Sequence, residues 1–169
     1  LTAFGVGVGG LTEPGGLGER CYRSPGVFAG YFQRPVITAA SFTYDGFFRT
    51  GDLFIVRDDR HLGFYDRKKD IVIRGGYNIS SVEVENAVLG FGKVRDVAVI
   101  PQPDEIMGER ICICVVPVDE DNPPTLEEIN DYLREQGMSV YKLPEKMKLI
   151  NAIPRNPVGK ILKKELRAL

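Results

Sequence analysis

The sequence contains no tryptophan, one histidine and three cysteines. A lone histidine leaves no plausible four-ligand zinc set, and an odd cysteine count is not a disulfide framework. Cys112 and Cys114 stand two apart in "RICICVVPV", so in a strand both point to one face and pack there as small apolar side chains. Neither sign of charge is in excess, with 22 Lys and Arg against 23 Asp and Glu. No net field therefore draws the chain to nucleic acid or to an anionic membrane. No apolar run reaches the roughly 18 residues of a membrane span. The opening "LTAFGVGVGGL" lacks the basic flank and small-residue cleavage site of a signal peptide. A cytoplasmic address is expected, and the glycosylation sequon Asn78-Ile79-Ser80 is then coincidental. What is present is 169 residues, 43% apolar and 27% charged, enough for one ordinary domain or two small ones. The chain starts on Leu1 rather than methionine, its glycine-rich opening offers no obvious first element, and it reads as a piece of something longer.

Residues 1 to 66 read as mostly β. "GERCYRS" predicts a short strand, and "DLFIVRDDRHLGFYDR" predicts a hairpin about the polar turn Asp58, Asp59, Arg60. Between them "RPVITAASF" predicts a short helix with Pro35 in its first turn, where a missing N–H costs nothing. After "DRKKD" the pattern changes. "IVIRGGYNI" is β-rich and bent by Gly75 and Gly76; Ser80 and Glu83 then form a capping box ahead of a helix that faces inward through Val84, Ala87 and Val88. "VRDVAVI" and "RICICVVPV" predict strands, the second apolar on both faces and so internal to a sheet. "PPTLEEINDYLREQG" repeats the box with Thr125 and Glu128, carries Leu126, Ile129 and Leu133 on one face, and stops at Gly137. "KMKLIN" predicts a last strand, and Ile161, Leu162, Leu166 and Leu169 give a terminal helix its stripe. The fold class is α+β: a β-rich N-terminal segment, then β-α-β-β-α-β-α able to form its own small core.

Two glycine motifs are neither a dinucleotide fingerprint nor a Walker phosphate loop. "GVGVGG" at 5 to 10 fits G-x-G-x-x-G, but no strand of useful length precedes it and "LTEPGG" follows where a helix is needed. "NPVGK" ends like a phosphate loop, yet Pro154 stands five before Gly159 where glycine belongs, and Ile161 stands where Ser or Thr would meet magnesium.

Three further stretches are "DGFFRTGDL" at 45 to 53, "DRKKDIVIRGGYNISSVEVE" at 66 to 85 and "PRNPVGKILKKEL" at 154 to 166. Each has a plain reading by itself: Asp52 as a turn cap, Arg67 to Asp70 as a solvated linker, Lys160 as a surface lysine. Together, in this order, they closely resemble the C-terminal third of the adenylate-forming enzymes, a superfamily of acyl-CoA synthetases, aryl-acid ligases, luciferases and peptide-synthetase adenylation domains. The resemblance runs from about "GERCYRSPGVFAGYFQRP" to the end and is strongest in "RTGDL", "DRKKDIVIRGG" and "PVGKI". It leans toward acyl-CoA synthetases and stand-alone aryl-acid ligases.

The resemblance implies that residues 1–68 end a large N-terminal domain and that 69–169 form a small C-terminal lid, with the hinge at Lys69. It implies that Asp52 accepts hydrogen bonds from the ribose hydroxyls of ATP, that Arg67 joins it there, and that Lys160 is the catalytic lysine of the adenylation step. It also implies that Gly75 and Gly76 let a pantetheine arm pass close to backbone; a tight hairpin would select the same two residues. The reaction implied is ATP plus a carboxylate to acyl-adenylate, then a thioester with CoA. ATP with Mg2+ and CoA are thus substrates, with no metal held tightly by this chain. Nearly all of the acyl pocket and the triphosphate loop are implied to lie in an upstream domain, so the chain alone is expected to be inactive. The alternatives are a non-catalytic binding or interaction domain that keeps the lid fold, an aryl-acid ligase loading a carrier protein, or a polyanion surface on Arg67, Lys68 and Lys69.

Overall fold

A computed structural model describes residues 2–7, 10–11, 13–57 and 61–169, with the side chains of residues 1–12 left aside. The predicted turn Asp58, Asp59, Arg60 and the middle of the glycine run, Val8 and Gly9, lie outside the described residues. The chain divides into two compact units, Leu1–Lys69 and Asp70–Leu169.

The first unit is a five-stranded antiparallel sheet in the order β2-β1-β3-β4-β5. Its strands are β1 (Thr2–Gly7), β2 (Gly10–Leu11), β3 (Leu17–Arg23), β4 (Phe48–Val56) and β5 (Leu62–Arg67). The glycine-rich opening is thus a strand paired to β3, although glycine leaves no side-chain periodicity by which to see it. Helix α1 (Pro35–Ala40) starts on Pro35 as expected. Tyr22, Phe28 and Phe42 each meet the Phe48 ring edge to face.

The second unit has a real core. Strand β9 (Gly108–Pro117) is its centre, pairing antiparallel with β8 (Val94–Asp104), parallel with β10 (Lys146–Leu149), and at Gly108 with β6 (Val72–Arg74). Alternation along β9 sends Ile111, Ile113 and Val115 to one face and Cys112, Cys114 and Val116 to the other. Helices α2 (Ser81–Leu89) and α3 (Leu126–Glu135) cover the first face through Val84, Val88, Ile129 and Leu133, all fully buried. Ile153 and Leu166 cover the second, where both cysteines pack as expected.

Three details differ from the sequence reading. The bent segment is a complete hairpin, β6 joined to β7 (Tyr77–Ile79) by Gly75 and Gly76. The box at Ser80 is half made: its hydroxyl accepts from the Glu83 N–H, but the Glu83 carboxylate is taken by Lys142. At Thr125 both halves are present. The terminal helix α4 is only Lys163–Leu166. Ile161 is held instead in an antiparallel bridge with Arg155, and Leu169 is exposed, so of the four-residue stripe only Leu166 is buried.

Candidate functional site

Lys160 stands on a loop whose form follows from its residues. Arg155 bridges Ile161, and the turn between them is closed by Asn156, whose backbone N–H donates to the Lys160 carbonyl at 2.9 Å. The Asn156 side-chain oxygen accepts the Lys160 N–H at 2.8 Å, and its carbonyl accepts the Gly159 N–H at 2.8 Å. Gly159 has φ +84°, a left-handed conformation that residues with a Cβ rarely adopt. Pro157, Val158, Gly159 and Lys160 are all exposed. The Lys160 ammonium has no hydrogen-bond or ion-pair partner among the described residues. It is a fixed backbone carrying a free cation.

In the first unit, antiparallel pairing of β4 and β5 sets Asp52 directly opposite Arg67. The Arg67 Nε donates to Asp52 Oδ1 at 2.8 Å, both side chains about one third exposed. The second carboxylate oxygen, Oδ2, has no partner among the described residues. Thr50 shapes the approach, accepting the Asp52 N–H and donating to the Arg20 carbonyl. Glu19, buried in β3, was not singled out by the sequence. It accepts the Gly51 N–H at 3.1 Å and pairs with Arg49 and Lys68 at 3.4 and 3.3 Å, so it ties "RTGD" to the basic run. Its alternation in "LGERCYR" was visible; its partners, 30 to 49 residues away, were not.

Lys69 is exposed and is the last residue of the first unit. Asp70, which follows it, is buried and accepts from Arg167 at 2.8 Å, which links the first and last segments of the second unit. Gly75 and Gly76 have φ +54° and +85°, so the hairpin conformation by itself calls for glycine at both. A Cβ on Gly75 would come within 2.8 Å of the Met107 Cε, while Gly76 has open space. The hairpin is braced by Arg74, which pairs with Glu145 through two nitrogens at 2.9 and 3.0 Å, and Arg110 joins Glu145 to Asp104. Hydrogen bonding from Arg110 holds the Asp104 carboxyl down to about 2, and that from Arg74 lowers Glu145. Cys21 is buried, and that burial pushes its thiol up. Among the described residues no group of three or more His, Cys, Asp or Glu could hold a metal ion, and no helix is long and apolar enough to cross a membrane.

Residues 83–160 match the family model of the AMP-binding enzyme C-terminal domain. The chain is 39% identical to a 2,3-dihydroxybenzoate-AMP ligase of Bacillus subtilis over 92% of its own length and 28% of that protein's. It is 40% identical to a medium-chain fatty-acid–CoA ligase of Escherichia coli, over 91% of this chain and 27% of that one. Among solved structures, ATP-bound MatB from Rhodopseudomonas palustris superposes with a TM-score of 0.87 at 31% identity, over 99% of this chain and 33% of that one. The chain thus spans about a quarter to a third of the length of these relatives.

Proposed function

We infer, from the membership of this chain in the adenylate-forming enzymes, whose AMP-binding enzyme C-terminal domain it carries, that Asp70–Leu169 is the mobile lid of an ATP-dependent carboxylate–CoA ligase. The observation that carries this is Lys160, an exposed and unpartnered ammonium on a loop already fixed by its own hydrogen bonds. In adenylation a carboxylate oxygen attacks the α-phosphorus of ATP and pyrophosphate leaves. Negative charge converges on the reacting oxygens, and a positioned cation in a site cleared of water offsets it. Gly159 lets the loop enter without a side chain of its own.

Asp52 receives the ribose. Its Oδ1 is already occupied by Arg67, which leaves Oδ2 to accept a hydroxyl proton, so Arg67 orients the carboxylate and adds positive charge near the nucleotide. Rotation about Lys69, a change confined to a few backbone torsions, would then carry Lys160 away and bring the Gly75–Gly76 hairpin to the thiol. CoA is the acceptor we propose, with magnesium arriving as part of the nucleotide substrate. Both aryl and aliphatic acids stand among the relatives, and the acid itself is chosen by residues outside this chain.

The isolated chain should give no ATP–pyrophosphate exchange with a mixed panel of carboxylates. Joined at Lys69 to the large domain of the 2,3-dihydroxybenzoate-AMP ligase, in place of that enzyme's own lid, it should restore exchange. Lys160→Ala in the same graft should lower the rate on the order of 10²- to 10³-fold. Exchange by the isolated chain, or a graft indifferent to Lys160, would overturn the reading.

A further inference from the structure

We propose that Arg155 and Asp96 are positioning residues that set the place of the Lys160 loop, and so act in the adenylation step alone; this rests on the reading of Lys160 given above. The loop tip has no burial to hold it, since Pro157 through Lys160 are all exposed. The turn bonds of Asn156 fix its shape but attach it to nothing else. The base of the loop is held where Ile161 packs against the second buried cluster and the Leu162 N–H donates to the Pro154 carbonyl at 2.8 Å; the tip is attached by the Arg155 guanidinium. Its Nη1 donates to the Gly159 carbonyl at 3.1 Å, while its Nη2 donates to both carboxylate oxygens of Asp96 at 3.0 and 2.9 Å. One planar group thus joins the residue before Lys160 to the central sheet.

Asp96 is well placed for this. It lies at the start of β8, where the register with β9 shifts between Val94 and Asp96, and its Oδ1 also accepts the Val97 N–H at 2.9 Å. The carboxylate is therefore itself oriented by backbone. An ammonium could not span the same three acceptors, because only the guanidinium offers donors in a rigid fork.

Magnitudes separate this role from a structural one. Arg155 and Asp96 are 42% and 31% exposed, and exposed ion pairs add little to stability. Their loss should loosen the loop while leaving the fold intact. A misplacement of about 1 Å at a reacting centre can cost on the order of 10²-fold in rate.

The test uses the full 169-residue chain first. Amide hydrogen exchange of Arg155→Ala and Arg155→Lys should speed up by about 10-fold at Gly159 and Lys160, with β9 amides and Tm unchanged. Asp96→Asn should give a smaller effect in the same direction. In the graft, Arg155→Ala should lower pyrophosphate exchange by about 10- to 100-fold and leave thioester formation from supplied acyl-adenylate unchanged. Unchanged loop exchange in Arg155→Ala, or equal losses in both half-reactions, would overturn the proposal. An effect of Arg155 on the loop, beside a graft indifferent to Lys160→Ala, would instead sink the reading of Lys160 and leave the loop anchor standing.

Discussion

At the scale of single residues, the glycine–lysine string around Lys160 stands out in the sequence, whereas the long-range contacts of the loop that carries it do not. Arg155 and Asp96 are 59 positions apart, and Glu19 meets Gly51 across 32. No local spacing rule reaches that far. Gly75 illustrates the opposite limit, a residue plain in the sequence whose reason the fold supplies. Its φ of +54° predicts that Gly75→Ala destabilises the second unit by about 1 to 2 kcal/mol, the left-handed penalty for an L-residue, and the flexible end of Met107 must shift in addition. Urea titration checks it; Gly76→Ala meets open space and should cost the conformational part only. A Gly75→Ala variant as stable as the parent would show that the hairpin rearranges.

At the scale of elements, β9 was read correctly because an internal strand is apolar on both faces, a composition that β8 shares over Val97 to Ile100, where it too packs into both clusters. The terminal helix was read too long. Ile161, Leu162, Leu166 and Leu169 fit a helical stripe, but Ile161 is used in the bridge to Arg155 that closes the Lys160 loop. Helical spacing and loop anchoring ask for the same residues there, and pairing partners decide. The half-made box at Ser80 has a similar cause, since Lys142 draws Glu83 away. Because Ile113 sits fully buried in the middle of β9, Ile113→Ala should cost about 2 to 5 kcal/mol of unfolding free energy. Tyrosine fluorescence in a urea titration reads it without interference, as there is no tryptophan.

At the scale of the molecule, the two units differ in how far each is self-sufficient. The second has two buried clusters on opposite faces of one sheet. In the first, Cys21 is the one buried hydrophobic side chain among the described residues, and Phe32 and Val36 are 88% and 81% exposed. The second unit should therefore keep its amide protection when the first has lost it. It should also carry the acid response. Asp104, held down to about 2 by Arg110, and Glu145, lowered by Arg74, have folded values below their unfolded ones. Their contribution is complete above the ordinary carboxylate range of about 4 and is lost as pH falls toward 2. Urea titrations across that window should show the loss, and Arg110→Ala should flatten it; an unchanged slope would place the acid sensitivity elsewhere. The central claim is that one lid serves one half-reaction with Lys160 and then withdraws it. The most direct test measures Lys160→Ala in the graft for pyrophosphate exchange and for thioester formation from supplied acyl-adenylate. The account predicts exchange reduced on the order of 10²- to 10³-fold with thioester formation preserved; equal loss of both, or of neither, would contradict it.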